Sequence, residues 1–176
     1  GTILKKEMTL EKEKEYLFGL ETALNRGKKI LLNGGSAIEA VTETVVELEN
    51  NSLFNAGKGS VFNHLGKHEM DASIMNGKDL NAGSVCCVEQ FKNPILLAKL
   101  VMEKSEHVML TGKGAMEFGE KMNCKKEEEN YFFDQLRYDQ WQSIKDSDHF
   151  QLDHSINNPK KFGTVGAVAL DQHGNL

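Results

Sequence analysis

The spacing of apolar residues near the start of the chain predicts two amphipathic helices. The first is predicted over residues 8 to about 27, with Thr9 as its N-cap. Three leucines are expected on its buried face: Leu17, Leu20 and Leu24. The second helix starts at Ser36, because Glu39 follows at the spacing of a capping box, and it ends near residues 49–51. Its apolar positions repeat at helical spacing at Ile38, Val41, Val45 and Leu48.

Further along, the apolar runs become short and are separated by turn residues, which is typical of strands. Two strands are predicted at Met70–Met75 and Ala82–Val88, and Asn76-Gly77 between them is a strong hairpin signal. A third helix is expected to begin at Asn93-Pro94, because asparagine caps helices and proline suits the first helical turn.

The second half of the chain mixes helical patterns with polar stretches. A short apolar run at 108–110 precedes a predicted helix near 115–121, and an aromatic-rich helix is predicted over 131–144. Residues 145–162 carry no periodic pattern and are expected to form an exposed, mobile connection. The apolar run at 165–170 then predicts a strand.

Helices around several strands indicate an α+β domain built in layers. The chain starts in what resembles the end of a loop and stops at a turn after an apolar run. We therefore expect that the domain is present only in part and that segments beyond both ends complete it.

Composition narrows the function classes. The chain has 176 residues, a net charge of -5 and no block of Lys or Arg, so it offers no electrostatic surface for nucleic acid. No apolar run reaches the ~20 residues of a membrane span, and no signal peptide opens the sequence. The three cysteines are odd in number and two of them are adjacent, which favours a reducing compartment, and we expect a cytoplasmic protein.

Two chemical alternatives rest on few residues. His64 and His68 could place two imidazoles together on a helix, but no third zinc ligand follows at a useful spacing. Cys86 or Cys87 could act as a thiol nucleophile, but alternation along the predicted strand points one of them into the core, where packing explains it. The glycine-rich stretches lack the spacing of a phosphate loop.

The stretch "LFNAGKGS", residues 53–60, follows the end of the second helix and combines short residues with glycines. Helix C-termini leave carbonyl groups unpaired, and a loop that curls back there can aim several oxygens at one point. A hard cation suits such a cage, although a plain glycine-rich turn has the same composition.

Gly163-Thr164 stands between the polar connection and the last apolar run. A threonine whose chain is cut before it carries its own base, the free α-amino group. Glycine before it tolerates strained backbone angles, and a long connection lets the new end move away. The same pair is also an ordinary loop-to-strand boundary, so the pattern leaves both interpretations open.

Four ordered motifs resemble a known family: "LENNSLFNAGKGSVF", "HEMDASIMNGKDLNAGSV", "NPILLAKLVMEKSEHVMLTGKGAMEF" and "FGTVGAVALDQHGNL". They resemble the plant-type asparaginases, also called isoaspartyl peptidases. These are N-terminal-nucleophile hydrolases with an αββα sandwich, and they cut themselves at a Gly-Thr bond into an α and a β subunit. The resemblance is weakest between residues 125 and 160, and it is closer to the potassium-independent members.

The resemblance implies that residues 1–163 are the α-subunit region, with 145–163 a flexible linker, and that residues 164–176 begin the β-subunit. It implies self-cleavage at Gly163–Thr164, with Thr164 as the nucleophile and Asn55 orienting it. The mature enzyme would hydrolyse L-asparagine and β-aspartyl dipeptides. No organic cofactor is implied, but a structural sodium ion is, held by the backbone carbonyls of Leu48, Glu49, Asn51, Phe54, Ala56 and Lys58.

The family also implies partners outside this sequence. The remainder of the β-subunit would supply the substrate-binding groups, and the active protein would be a dimer of αβ units without nucleic-acid or membrane partners. A non-catalytic or uncleaved domain that retains the fold is the alternative. The present 176 residues by themselves are expected to be inactive.

Overall fold

The computed structural model describes residues 8–145 and 163–176. Its helices are α1 (Leu10–Leu32), α2 (Ala37–Glu49), α3 (Pro94–Lys104), α4 (Gly112–Lys121), α5 (Glu129–Phe132) and α6 (Gln135–Ile144). Its strands are β1 (Met70–Met75), β2 (Ala82–Val88) and β3 (Met109–Thr111), and a short 3-10 turn covers Gly57–Gly59. The predicted connection 145–162 lies outside the described residues, apart from Lys145.

The described strands form a three-stranded mixed sheet in the order β1-β2-β3. The strands β1 and β2 form the predicted antiparallel hairpin, with Met75 opposite Ala82 beside the turn. The strands β2 and β3 are parallel, and α3 makes the crossover between them and packs on the sheet. This arrangement is a partial α+β domain, as the sequence predicts.

The core lies between the sheet and the helices α2, α3 and α4. Its buried members are Met70, Ile74, Val85, Val88, Phe91, Ile95, Leu97, Ala98, Val101, Ala115 and Phe132. The apolar face of α2 packs against this cluster through Ile38, Val41, Val45 and Val46. The predicted capping box is confirmed, because Ser36 and Glu39 bond each other's backbone N–H groups.

The buried face of α1 differs from the prediction. Leu17, Leu20 and Leu24 are 59%, 49% and 66% exposed. The face packed inward carries Tyr16, Gly19, Ala23 and Gly27 instead. The small residues allow close approach to α2, since a Cβ on Gly27 would collide with the Thr44 hydroxyl. Counting large apolar side chains along a helix does not detect a buried face that is made of small residues.

Two further elements depart from the prediction. The helix predicted over 131–144 is broken at Phe133 and Asp134, because the Asp134 carboxylate caps α6 by accepting from Arg137 N. The run 165–170 has the alternating burial of a strand, but it pairs with no strand among the described residues. Without a partner ladder it is extended backbone, not a strand.

The prediction that one of the two adjacent cysteines points into the core is wrong. Met70 pairs with Val88 but Ala72 pairs with Val85, so a bulge places Asp71 opposite two residues, Cys86 and Cys87. Cys86 is therefore half-buried and Cys87 is exposed with a φ of 55°, and neither lies in the core.

Within residues 8–145 and 163–176, no helix combines the length and apolar character needed to cross a bilayer.

Candidate active site

The loop between α2 and β1 curls back on the end of α2. Gly57 has a φ of 50°, and a Cβ there would collide with the carbonyl oxygen of Glu49. A Cβ on Gly59 would collide with the carbonyl of Phe54 and lie 2.5 Å from that of Ser52. Glycine is therefore required at both positions, because backbone carbonyls occupy the space that a side chain would need.

Asn55 lies in this loop and connects it to the end of the described chain. Its side-chain Nδ2 donates to the carbonyl oxygen of Gly163 at 2.7 Å. Its Oδ1 accepts from Val61 N at 3.1 Å. A carbonyl only accepts and a backbone N–H only donates, so these two partners fix the orientation of the amide.

The segment 163–176 is anchored at its other end by Asp171. The buried Asp171 carboxylate accepts from Ala37 N at the start of α2 at 3.3 Å, and from His173 N and Asn175 N at 2.9 and 3.0 Å. The bond from the Asn175 backbone is the main cause that lowers the pKa of Asp171 below its ordinary value. The turn at Asp171 holds one end of the segment 163–176, and the Asn55 side chain holds Gly163 at the other end.

The structure brings Asn55 and Gly163 together, and Thr164 follows the bonded carbonyl with an exposed side chain. The Asn55 side chain bonds the Gly163 carbonyl and not the Thr164 hydroxyl. The orientation of Thr164 by Asn55 therefore stays a prediction.

The six residues predicted to hold a cation lie at the end of α2 and in the curled loop that follows. Three of their carbonyls accept one backbone N–H each: Asn51 from Phe54, Phe54 from Ala56, and Ala56 from Gly59. The carbonyl of Leu48 accepts from both Asn50 and Asn51. A carbonyl oxygen has two lone pairs, so the three carbonyls with a single bond keep capacity for a further interaction. Backbone carbonyl oxygens are the kind of ligand that a hard cation prefers, so the chemistry of this donor set is compatible with sodium.

The side chain of Glu49 has a role that sequence reasoning missed. It is 3% exposed, and its Oε1 accepts from Ile95 N in the first turn of α3 at 2.9 Å. The predicted cap, Asn93, makes no capping bond and donates to Asn50 Oδ1 at 3.2 Å. A carboxylate suits the positive end of a helix, and burial raises the pKa of Glu49 to about 7.

Arg137 is a second residue that the sequence did not single out. It is 3% exposed, and its Nε donates to the carbonyl oxygen of Gly59 at 3.2 Å. This bond ties α6 to the loop that carries Asn55. Its only sequence signal is a lone cation among aromatic residues, which is weak because such a residue is more often exposed.

The two histidines of the zinc alternative lie in different environments. His68 is buried, its Nδ1 lies 3.2 Å from Ser60 Oγ, and its ring packs 4.1 Å from that of Phe62. Burial lowers the pKa of His68 below its ordinary value. His64 is exposed in a turn, and the two residues do not form a metal-ligand group within the described part of the chain.

The thiol alternative is also disfavoured. The Asp71 carboxylate, hydrogen-bonded to the Cys86 thiol, raises the pKa of Cys86 to about 12. A thiol nucleophile requires the opposite shift, because the thiolate is the reactive form.

The family model described as Asparaginase matches residues 1–176. The chain belongs to the asparaginase family. The family resemblance of the four sequence motifs is thereby confirmed.

Three relatives illustrate the match. The chain is 42% identical over 179 residues to the isoaspartyl peptidase of Escherichia coli K12, and the alignment covers 100% of this chain and 56% of that protein. It is 47% identical over 164 residues to the isoaspartyl peptidase/L-asparaginase of Mus musculus, covering 90% and 48%. For the Homo sapiens isoaspartyl peptidase/L-asparaginase the identity is 44% over 158 residues, covering 90% and 50%. The chain thus spans about half the length of these relatives.

Proposed function

We propose that the intact protein containing this chain is an autoprocessing amidohydrolase. It hydrolyses L-asparagine to aspartate and ammonia and cleaves β-aspartyl dipeptides, as the names of its relatives suggest. Its nucleophile is Thr164, released by self-cleavage at Gly163–Thr164. The observation that carries the proposal is the 2.7 Å bond from Asn55 Nδ2 to the Gly163 carbonyl oxygen, which lies at the bond to be cut.

In the cleavage step, Thr164 Oγ attacks the carbonyl carbon of Gly163, and its proton passes to the departing amide nitrogen. Negative charge develops on the Gly163 oxygen in the transition state, and a donor at that oxygen stabilises it. The C–N bond then breaks and leaves an ester between Gly163 and the Thr164 hydroxyl. Water hydrolyses the ester, which gives a free Gly163 carboxylate and a Thr164 with a free α-amino group.

In the mature enzyme the free α-amino group of Thr164 acts as the base for its own hydroxyl. The hydroxyl attacks the side-chain amide of asparagine or the β-linkage of the dipeptide, and the leaving amine takes a proton. Water then hydrolyses the acyl-enzyme and regenerates Thr164. The groups that bind the substrate belong to the remainder of the β-subunit in this proposal.

The proposal includes a sodium ion and a larger assembly. Sodium would be held by the six carbonyl-bearing residues at the end of α2, and it would fix the loop of Asn55 without entering the chemistry. The intact protein would form the αββα sandwich and a dimer of αβ units. The three free cysteines support a reducing, cytoplasmic location.

The test is intact mass and N-terminal sequencing of the full-length protein after incubation at neutral pH. Two fragments, one beginning Thr-Val-Gly-Ala, support the proposal, and Thr164→Ala should remain a single chain. A matched control is Thr111→Ala, which lies at an exposed position before α4 and should leave cleavage unchanged. A single uncut wild-type chain with an intact fold would instead favour the non-catalytic alternative.

A further inference from the structure

The bulge between β1 and β2 gathers three potential metal ligands in one place. Side chains of adjacent strand residues normally point to opposite faces, but the bulge breaks this alternation at Cys86 and Cys87. Their Sγ atoms lie 3.5 Å apart. Asp71 faces both residues from β1, and its Oδ1 accepts from Cys87 N at 2.8 Å, which holds the carboxylate at the bulge.

The separations are short enough for the three residues to share one cation. One ligand atom from each of the three residues lies within 4.8 Å of the others, and this is the only such group in the described parts of the chain. Two thiolates bound to one tetrahedral Zn²⁺ at ~2.3 Å have sulfurs ~3.8 Å apart. The observed sulfur separation of 3.5 Å is close to that value. A cation could therefore bind with little movement of the strands.

The charge around the group also suits a cation. The Asp71 carboxylate supplies a negative charge beside the two thiol groups. Binding of a soft cation would release the two thiol protons to solvent, because the thiolate is the form that binds metal. Cys87 and Asp71 are exposed and Cys86 is half-buried, which leaves access and room for a water ligand.

We propose that Asp71, Cys86 and Cys87 form a binding site for one thiophilic d¹⁰ divalent cation, such as Zn²⁺. Two thiolates and one carboxylate oxygen bind the ion, and water completes the tetrahedron. Thiolate ligands select soft cations over the hard sodium ion of the carbonyl loop, so the two sites take different metals. The site shares no residue with Thr164 or Asn55, and it does not depend on the proposed reaction.

The test uses the full-length, metal-free protein kept reduced by a non-thiol phosphine. Zn²⁺ is titrated against a chromophoric chelator, and Cd²⁺ is titrated separately while thiolate-to-metal charge-transfer absorption is recorded. One equivalent should bind per chain with the charge-transfer band. Cys86→Ser and Cys87→Ser should each weaken Zn²⁺ binding strongly. Loss of a residue that only hydrogen-bonds a metal ligand costs roughly 10- to 100-fold in affinity, and loss of a ligand should cost more.

Two further variants separate ligation from folding. Asp71→Asn keeps an oxygen that can accept from Cys87 N but removes the charge, so the bulge should persist while Zn²⁺ binding weakens. Cys124→Ser removes a half-buried thiol elsewhere and should bind Zn²⁺ as the wild type does. Absence of stoichiometric Zn²⁺ binding, or binding that survives Cys87→Ser unchanged, overturns the proposal.

Discussion

The side-chain amide of Asn55 and the carbonyl oxygen of Gly163 form a 2.7 Å hydrogen bond across 108 positions of sequence. The other atom of the same amide group is also held, since Asn55 Oδ1 accepts from Val61 N in the same loop. A donor fixed in this way does not need to reorient when charge develops on its partner, which is the property that makes such groups effective in acyl transfer.

Asn55→Asp should strongly impair self-cleavage of the full-length protein. The variant keeps an oxygen for Val61 N but replaces the donor to Gly163 with a repelling carboxylate. Loss of one oxyanion donor costs about 10²- to 10³-fold in rate. Cleavage is followed as the fraction of uncut chain with time on denaturing gels. Asn76→Asp, in the hairpin turn, is the matched control and should be cut at the wild-type rate. Unchanged cleavage of Asn55→Asp would contradict the role of the amide.

Gly59→Ala should destabilise the loop and weaken its response to sodium. The new methyl group would collide with the Phe54 carbonyl, and overpacking of this kind costs about 1–3 kcal/mol. We expect a lower thermal midpoint and a smaller difference between midpoints measured in sodium chloride and in an organic-cation chloride of equal ionic strength.

The control for this variant is Gly114→Ala in α4, where a Cβ meets nothing within 4 Å. Alanine is the better helix former, so this variant should be as stable as the wild type or slightly more stable. Equal sodium responses in Gly59→Ala and the wild type would argue against a cation in the loop.

His68 should make the fold sensitive to mild acid. Its pKa is lowered in the folded protein from the ordinary value of 6.5, so the folded state prefers the neutral ring. The contribution of the neutral His68 ring to the free energy of unfolding is fully present above pH 6.5. It is lost as the pH falls through the lowered pKa of the folded state. Urea midpoints measured between pH 8 and pH 5 should therefore fall less in His68→Gln than in the wild type. The exposed His64 provides the control, and His64→Gln should retain the wild-type slope.

Local signals predicted those elements whose ends are set by nearby residues. The β1–β2 hairpin has its predicted bounds because Asn76-Gly77 fixes the turn and apolar runs flank it. The capping box at Ser36 is likewise local. The burial of α1 was predicted wrongly because its packing depends on Gly27, which fits against α2, and on Gly19, which fits against Asn51 and Phe54 after α2. Only these contacts explain why glycine occupies the two positions.

The candidate site likewise combines local motifs, which the sequence can reveal, with contacts between distant segments, which it cannot. Gly163-Thr164 and the glycine-rich loop are contiguous motifs, so the sequence alone could single out both as candidates. The bond between Asn55 and Gly163, the Glu49 cap on α3 and the Arg137 bond to Gly59 each join distant segments. Periodicity carries no information on such contacts, because they depend on how the elements pack.

Arg137→Met should lower stability and slow cleavage together. The substitution keeps an apolar chain of similar length but removes the donor to the Gly59 carbonyl, and hydrogen bonds to charged groups contribute about 1.5–3 kcal/mol. The loop between Gly59 and Asn55 should then loosen, and with it the alignment of the Asn55 amide on Gly163. Urea unfolding and the cleavage time course measure the two effects on the same preparation.

The matched control is Arg26→Met, because Arg26 is the other arginine of the chain and pairs with Glu43 at an exposed position. Exposed ion pairs contribute little, so this variant should unfold and cleave nearly as the wild type does. Cleavage of Arg137→Met should remain slow even at temperatures far below its unfolding midpoint, since the effect acts through loop position. Wild-type cleavage under those conditions would assign Arg137 to stability alone.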